Sequence, residues 1–313
     1  MTRFIKGMLF FSSPIFIYIL LVMYIDPFNV IQKESNQRLI ELKSHISGKV
    51  NYPLYRLQGF SDNPTEIILL GDSRTDKLKT KVFDSLTRMN TTNLAYGGGT
   101  LPEIIESFWY ATKVHDLKQV YIGINFNLYN ADNTMDRVTE AINLKSSPIS
   151  YLFSQASFKS TSLIIKSIII GETVNVEKPD FNKVGFWKYQ LESSANNFYR
   201  NYKYPDHYFE GLLEISDYCK KKNIKLIFFT PPTHIDLQQK VNEFNLVAAE
   251  IRFKADLSKL GLFYDFDYPN NLTENKDNFK DPFHYNDSIA NIVINEIVTG
   301  KINYARTHNN MYK

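Results

Sequence analysis

The sequence predicts an α/β protein: a three-layer α/β/α sandwich with a mainly parallel sheet of about five strands, set behind an N-terminal transmembrane helix. Three observations carry this. Short apolar runs alternate with helical periodicity from about residue 66 to 298. Strands separated by helices imply a parallel sheet covered on both faces. Residues 7–25 form an uncharged run of 19 residues, long enough to cross a bilayer as a helix.

The strands are expected at 66–70 (EIILL), stopped by Gly71; at 92–95 (TNLA), ended by the glycines at 97–99; at 119–124 (QVYIGI); at 225–229 (KLIFF); and, more weakly, at 262–266. Helical spacing falls at 33–45, 79–88, 102–115, 206–222, 241–260 and 288–298. The interval 127–201 is too long for a plain loop and should hold helices of its own. It reads as an insertion able to cap the edge of the sheet, with 162–170 packed in a core. The expected organisation is a cytoplasmic stub and anchor at 1–26, a polar connector at 27–60 that lifts the domain off the membrane, a catalytic domain at 61–300, and a solvated basic tail at 301–313.

Arg3 and Lys6 precede the apolar run and Asp26 follows it. The positive-inside rule then places the N-terminus in the cytoplasm and the rest of the chain outside, as a single-pass protein. Pro14 is tolerable in such a helix. A cleaved signal peptide fits less well, because the run is long for an h-region and no A-x-A site follows.

Composition excludes several classes. With 43% hydrophobic and 22% charged residues in 313, the chain is neither disordered nor fibrous. A net charge of +3 without a basic, aromatic-interleaved stripe gives no footprint for a nucleic-acid partner. Cys219 is the only cysteine, so no intrachain disulfide forms, and its amphipathic surroundings make it a packed helix residue. His45, His115, His207 and His308 are dispersed, and no H-E-x-x-H or C-x-x-C spacing occurs, so no metal is expected. The glycines at 97–99 lack both phosphate-loop and dinucleotide spacing, so no nucleotide cofactor is expected either.

Two short segments carry chemistry. Gly71-Asp72-Ser73-Arg74 directly follows the first strand, which would project Ser73 Oγ at the carboxyl edge of the sheet, where open α/β sheets bind ligands. The following helix N-terminus would offer amide donors to a developing negative charge. Near the other end, Asp281-Pro-Phe-His284 places a carboxylate three residues before an imidazole. The carboxylate can then hold Nδ1–H and leave Nε2 free to take a proton. Alone, the first segment could be an Asp-Ser helix cap and the second a polar loop.

Together these blocks resemble the SGNH, or GDSL, hydrolase superfamily, in which the serine follows the first strand and a D-x-x-H motif comes near the end. The resemblance implies a flavodoxin-like sheet, a Ser73-His284-Asp281 triad, and an oxyanion hole made by the Ser73 N–H and that of Gly97 or Gly98. The family's G-x-N-D block falls on Gly123-Ile-Asn125-Phe126, with Phe in place of Asp. Asn125 would complete the oxyanion hole or pair with backbone at the strand end, and Asn127 is near enough to be considered. Arg74, Asn127 and His234 are candidate substrate contacts; Arg74 could equally be a surface residue and His234 a turn residue.

An anchor ahead of such a domain is similar to the branch that includes the D-alanyl transfer protein of lipoteichoic acid synthesis and the alginate O-acetylation proteins. That likeness implies an acyl transferase or esterase acting on envelope or secreted polysaccharide, with a membrane-bound O-acyltransferase partner. The other reading is a catalytically silent SGNH-like domain that binds glycan or scaffolds a synthesis complex.

Overall fold

The computed structural model describes residues 2–176 and 183–307. Five short strands run parallel: β1 (Ile67–Leu70), β2 (Thr91–Asn93), β3 (Gln119–Gly123), β4 (Lys225–Thr230) and β5 (Leu262–Asp265). After them come a hairpin, β6 (Phe279–Asp281) and β7 (His284–Tyr285), and a terminal strand, β8 (Arg306–Thr307). The main sheet has the order β2-β1-β3-β4-β5-β8. β1 is paired in parallel with both β2 and β3, in the registers Leu69↔Asn93 and Leu69↔Tyr121. β8 pairs antiparallel with β5. The expected parallel, helix-covered sheet is present, with a sixth strand that the sequence reading placed in a solvated tail. Residues 308–313 of that tail, His308 included, lie outside the described residues.

All four residues of β1 are buried, each contributing about 1.5–3 kcal/mol through transfer of its side chain from water. Alternate strand residues face opposite sides. Ile67, Leu69, Tyr121, Ile227 and Phe229 join Phe83 of the helix Thr80–Thr87 and Ile289, Val293 and Ile297 of the helix Asp287–Thr299 in one core. On the opposite side, the helices Leu101–Val114 and Asp206–Lys222 meet through Phe108 and Tyr218, whose ring centroids are 5.8 Å apart. The first of these helices has a full capping box, Thr100 with Glu103, and a proline in its first turn, which fixes its start. The helix expected over 241–260 is two, Ile235–Glu243 and Val247–Leu260, separated where Asn245 takes a left-handed φ of 57°. Cys219 is buried in its helix, as expected, and burial pushes its thiol up to about 12.

The chain divides into two units. The sheet belongs to residues 63–136 and 180–313, and the other unit comprises residues 1–62 and 137–179. The latter is all helical: Thr2–Ile25, Gln37–Val50, Tyr52–Asp62, Arg137–Ser146, Pro148–Leu152 and Gln155–Ile170. The segment expected as a connector is therefore two helices with buried faces. Ile25, Leu42, Ile46 and Ile164 form their shared core. Asp26 closes the first helix: its carboxylate accepts from the amides of Val30, Ile31 and Gln32 and from Tyr151 Oη at 2.6 Å. The apolar stretch 162–170 is only partly a core element, because Ile164 and Ser167 are buried while Ile168, Ile169 and Ile170 are exposed. Among the described residues no helix is long and apolar enough to cross a membrane.

Candidate active site

β1 sits centrally, with β2 to one side and β3 to the other. Connections leave it in opposite directions, and such a switch point opens a crevice at the carboxyl ends of the strands. The turn that follows β1 fills it. Asp72 caps the short helix Ser73–Asp76 by accepting from Arg74 N at 2.9 Å. Thr75 is fully buried beneath the turn. Its Oγ1 occupies the space that a Cβ at either Gly71 or Gly123 would need, so any larger residue at those positions would displace the serine turn.

The second segment is the β6–β7 hairpin, in which Asp281 and His284 are direct cross-strand partners. Pro282 and Phe283 form its turn, and Phe283 N donates to Asp281 Oδ1 at 2.9 Å. His284 Nδ1 lies 2.9 and 2.8 Å from the two Asp281 oxygens, and its Nε2 lies 2.8 Å from Ser73 Oγ. An ionised carboxylate only accepts, so Nδ1 carries the proton and Nε2 is the acceptor for the Ser73 hydroxyl. Tyr285 Oη, next in sequence, donates to Arg74 O at 2.5 Å and ties the hairpin to the serine turn. Residues 211 apart in sequence are thereby held in register.

The expected oxyanion donors separate into two groups. The Ser73 and Gly98 amides make no backbone hydrogen bond among the described residues, and both residues line a cavity of about 420 Å³ that contains His284 and Asn127. Gly98 needs its left-handed φ of 64° to turn there. Gly97 is not part of that lining, whereas Gly99 is. Asn125 is buried away from the cavity; its Nδ2 donates to Pro231 O at 2.6 Å and to Asp267 Oδ2 at 3.3 Å. Its amide is spent on strand-end bonding, and the oxyanion role considered for it does not fit. Asn127 does face the cavity. Its Oδ1 accepts from Arg74 Nη1 at 3.0 Å, and since guanidinium only donates, this contact fixes the amide orientation. The NH₂ group is left for a ligand.

The two other candidate contacts, Arg74 and His234, are placed differently. Arg74 is 2% exposed, and its guanidinium is engaged by both Asp72 oxygens and by Asn127. Burial disfavours its charge, but the adjacent Asp72 outweighs that and raises its pKa. It is a largely buried counter-ion that positions Asn127 and forms part of the cavity wall. His234 is buried at the start of the helix Ile235–Glu243, where Nδ1 accepts from Asp236 N at 3.1 Å. The Trp187 and Phe279 rings pack edge-on against it, with centroids 4.9 and 5.5 Å away. It is absent from the cavity lining, although its backbone N–H supports the hairpin by donating to Pro282 O at 3.0 Å.

The rest of the cavity was not legible in the sequence. A π-helical stretch, Gln190–Ala195, contributes Gln190 and Ser194, and the next helix contributes Phe198, which meets Phe283 edge-on at 6.1 Å. Part of the 127–201 interval thus lines the site. Phe126, in the place of the family's Asp, is buried against Tyr199, Tyr202 and Phe253; its own surroundings require an apolar ring. Chemically, the assembly offers a hydroxyl bonded to a carboxylate-held imidazole, beside two unengaged amides and a carboxamide.

No family model matches the chain, and no curated protein does. Among solved structures, a GDSL-like lipase from Bacteroides thetaiotaomicron is 11% identical, with a TM-score of 0.41, over 81% of this chain and 100% of that one. An inferred acylhydrolase from Bacteroides fragilis is 14% identical, with a TM-score of 0.40, over 76% of this chain and 86% of that one. Likeness of this degree carries no argument about activity, which rests on the geometry of Ser73, His284 and Asp281 alone.

Proposed function

We propose that the chain is a serine acyl hydrolase or acyl transferase of the SGNH kind, and the observation that carries this is the continuous Ser73–His284–Asp281 hydrogen-bond chain at the switch-point cavity. His284 Nε2 takes the Ser73 proton as Oγ attacks an ester carbonyl, and Asp281 stabilises the imidazolium. The oxyanion receives the Ser73 and Gly98 N–H groups and Asn127 Nδ2. His284 returns the proton to the departing alkoxide, leaving an ester on Ser73. An incoming hydroxyl then loses its proton to His284, attacks that ester, and releases Ser73, which is reprotonated. If the hydroxyl is water the enzyme is an esterase; if it belongs to a glycan, a transferase.

The exposed apolar side chains of the helix Thr2–Ile25 support a membrane-anchored setting, and Arg3 and Lys6 ahead of the uncharged run 7–25 support an extracytoplasmic domain. Phe10, Phe11, Phe16, Leu20 and Tyr24 are exposed along it, a surface that suits lipid better than water. With that anchor, the acceptor is an envelope or secreted polysaccharide, and the acyl donor is delivered by a membrane-bound O-acyltransferase. The test is labelling of the full chain by a fluorophosphonate. Labelling should occur in the wild type and vanish in Ser73→Ala. Folded wild type that resists labelling, and transfers no acyl group to oligosaccharide, would return the chain to the silent, glycan-binding reading.

A further inference from the structure

We infer that the helical turn 148–158 of the all-helical unit is a second membrane contact, seated in the outer leaflet beside the N-terminal helix; this rests on the reading of that helix as an anchor. Tyr18 lies eight residues before Asp26, the first charged residue after the apolar run. At the rise of an α-helix that is about 12 Å deeper along the axis. Tyr18 Oη donates to Leu152 O at 2.6 Å, and the Tyr18 ring packs against Phe153 and Phe158, with centroids 6.2 and 5.8 Å away. Whatever depth Tyr18 reaches, these residues reach too. Asp26 bounds that depth from the aqueous side, because it is met by Tyr151 Oη, one long side chain away from the Tyr151 backbone.

The surface there is built for lipid. Ile149, Phe153 and Phe158 are 73%, 57% and 58% exposed, although they lie on or at the end of helices that bury Tyr151 and Ser157 on their inner faces. A cavity of about 400 Å³ borders the same turn, lined by Ser154, Gln155, Lys49, Arg137 and Lys159 against one carboxylate, Glu140. Apolar rings flanked by cations are the pattern of an interfacial segment that meets anionic headgroups. Direction is also set: Tyr18 meets Phe158 while Ile25 shares a core with Ile164. The helix Gln155–Ile170 therefore rises out of the membrane alongside the anchor, and the turn at its start is the immersed end.

The experiment is depth-resolved quenching on the full chain in nanodiscs containing phosphatidylglycerol. An environment-sensitive fluorophore is placed by Phe153→Cys, Phe158→Cys, Ile169→Cys or Leu20→Cys, and the lipid carries a nitroxide high on the acyl chain. Cys219 is buried and its thiol is pushed up to about 12, so it stays unlabelled. All four positions are exposed, and variants are compared once their unfolding transitions match the wild type. The labels at 153 and 158 should be quenched at least about twofold more than the label at 169. Quenching at 20 without quenching at 153 or 158 overturns the inference and leaves the anchor standing. A blue-shifted but unquenched label at 153 also overturns it, in favour of a protein contact. No quenching at 20 removes the anchor and this inference together.

Discussion

His284 and His234 are both held beside turns at the carboxyl edge of the sheet, but they are bonded in opposite senses. His284 is half-buried, with a carboxylate on Nδ1 and a hydroxyl on Nε2. Its proton has somewhere to come from and somewhere to go. His234 is buried, accepts a helix amide at Nδ1, and is packed between Trp187 and Phe279. The same pairing recurs two residues apart at the end of β3, where Asn125 is bonded into the strand end and Asn127 faces the cavity. In each pair residue type is equal, and the bonds already made decide which member can act on a ligand.

Substitutions should break these pairs asymmetrically. The largest effect is expected for His284→Ala, which should lower kcat by about 10⁴-fold or more while leaving the melting temperature near the wild type; His234→Ala should keep kcat within about tenfold. Steady-state hydrolysis of an activated ester reads both. Next, Asn127→Ala should lower kcat about 10²–10³-fold by removing an oxyanion donor. Asn125→Ala should instead lower unfolding free energy by about 1–3 kcal/mol, because the buried Asp267 and Pro231 acceptors lose their donor. A reversal of that pattern, read from kcat and urea midpoints, would exchange the two assignments.

The smallest effect concerns pH. Burial lowers the His234 pKa, partly offset by the nearby Asp236. The unfolded chain therefore binds the proton first, and the stability due to neutral His234 is present above the ordinary histidine value of about 6.5 and lost as pH falls below it. Melting temperature followed against pH should decline in that window. His234→Gln should flatten the decline; an unchanged slope would mean that other groups carry it.

Much of this was readable before any coordinates. The runs at 66–70, 119–124 and 225–229 mark central strands because buried parallel strands need continuous apolar residues, and Ser73, Asp281 and His284 were identifiable from two four-residue blocks. The failures have physical causes. β8 is two residues long and its pairing comes from β5, so no local periodicity exists to find. The break near Asn245 needs only one left-handed residue, without Gly or Pro to announce it. Phe126 and Asn125 were weighed by position in a motif, while their partners, Tyr202 and Pro231, lie far along the chain. The segment 27–60 looked like a spacer because its helices bury faces against residues beyond 137.

The Asp72–Arg74 pair has a consequence for the electric field at the nucleophile. An uncompensated carboxylate on the residue before the serine would oppose the charge that accumulates on a tetrahedral oxygen, yet the turn needs Asp72 as its cap. By pairing the guanidinium with that carboxylate in the cavity wall, the chain keeps the cap and cancels its sign. Neutrality beside the nucleophile is the service this cation renders.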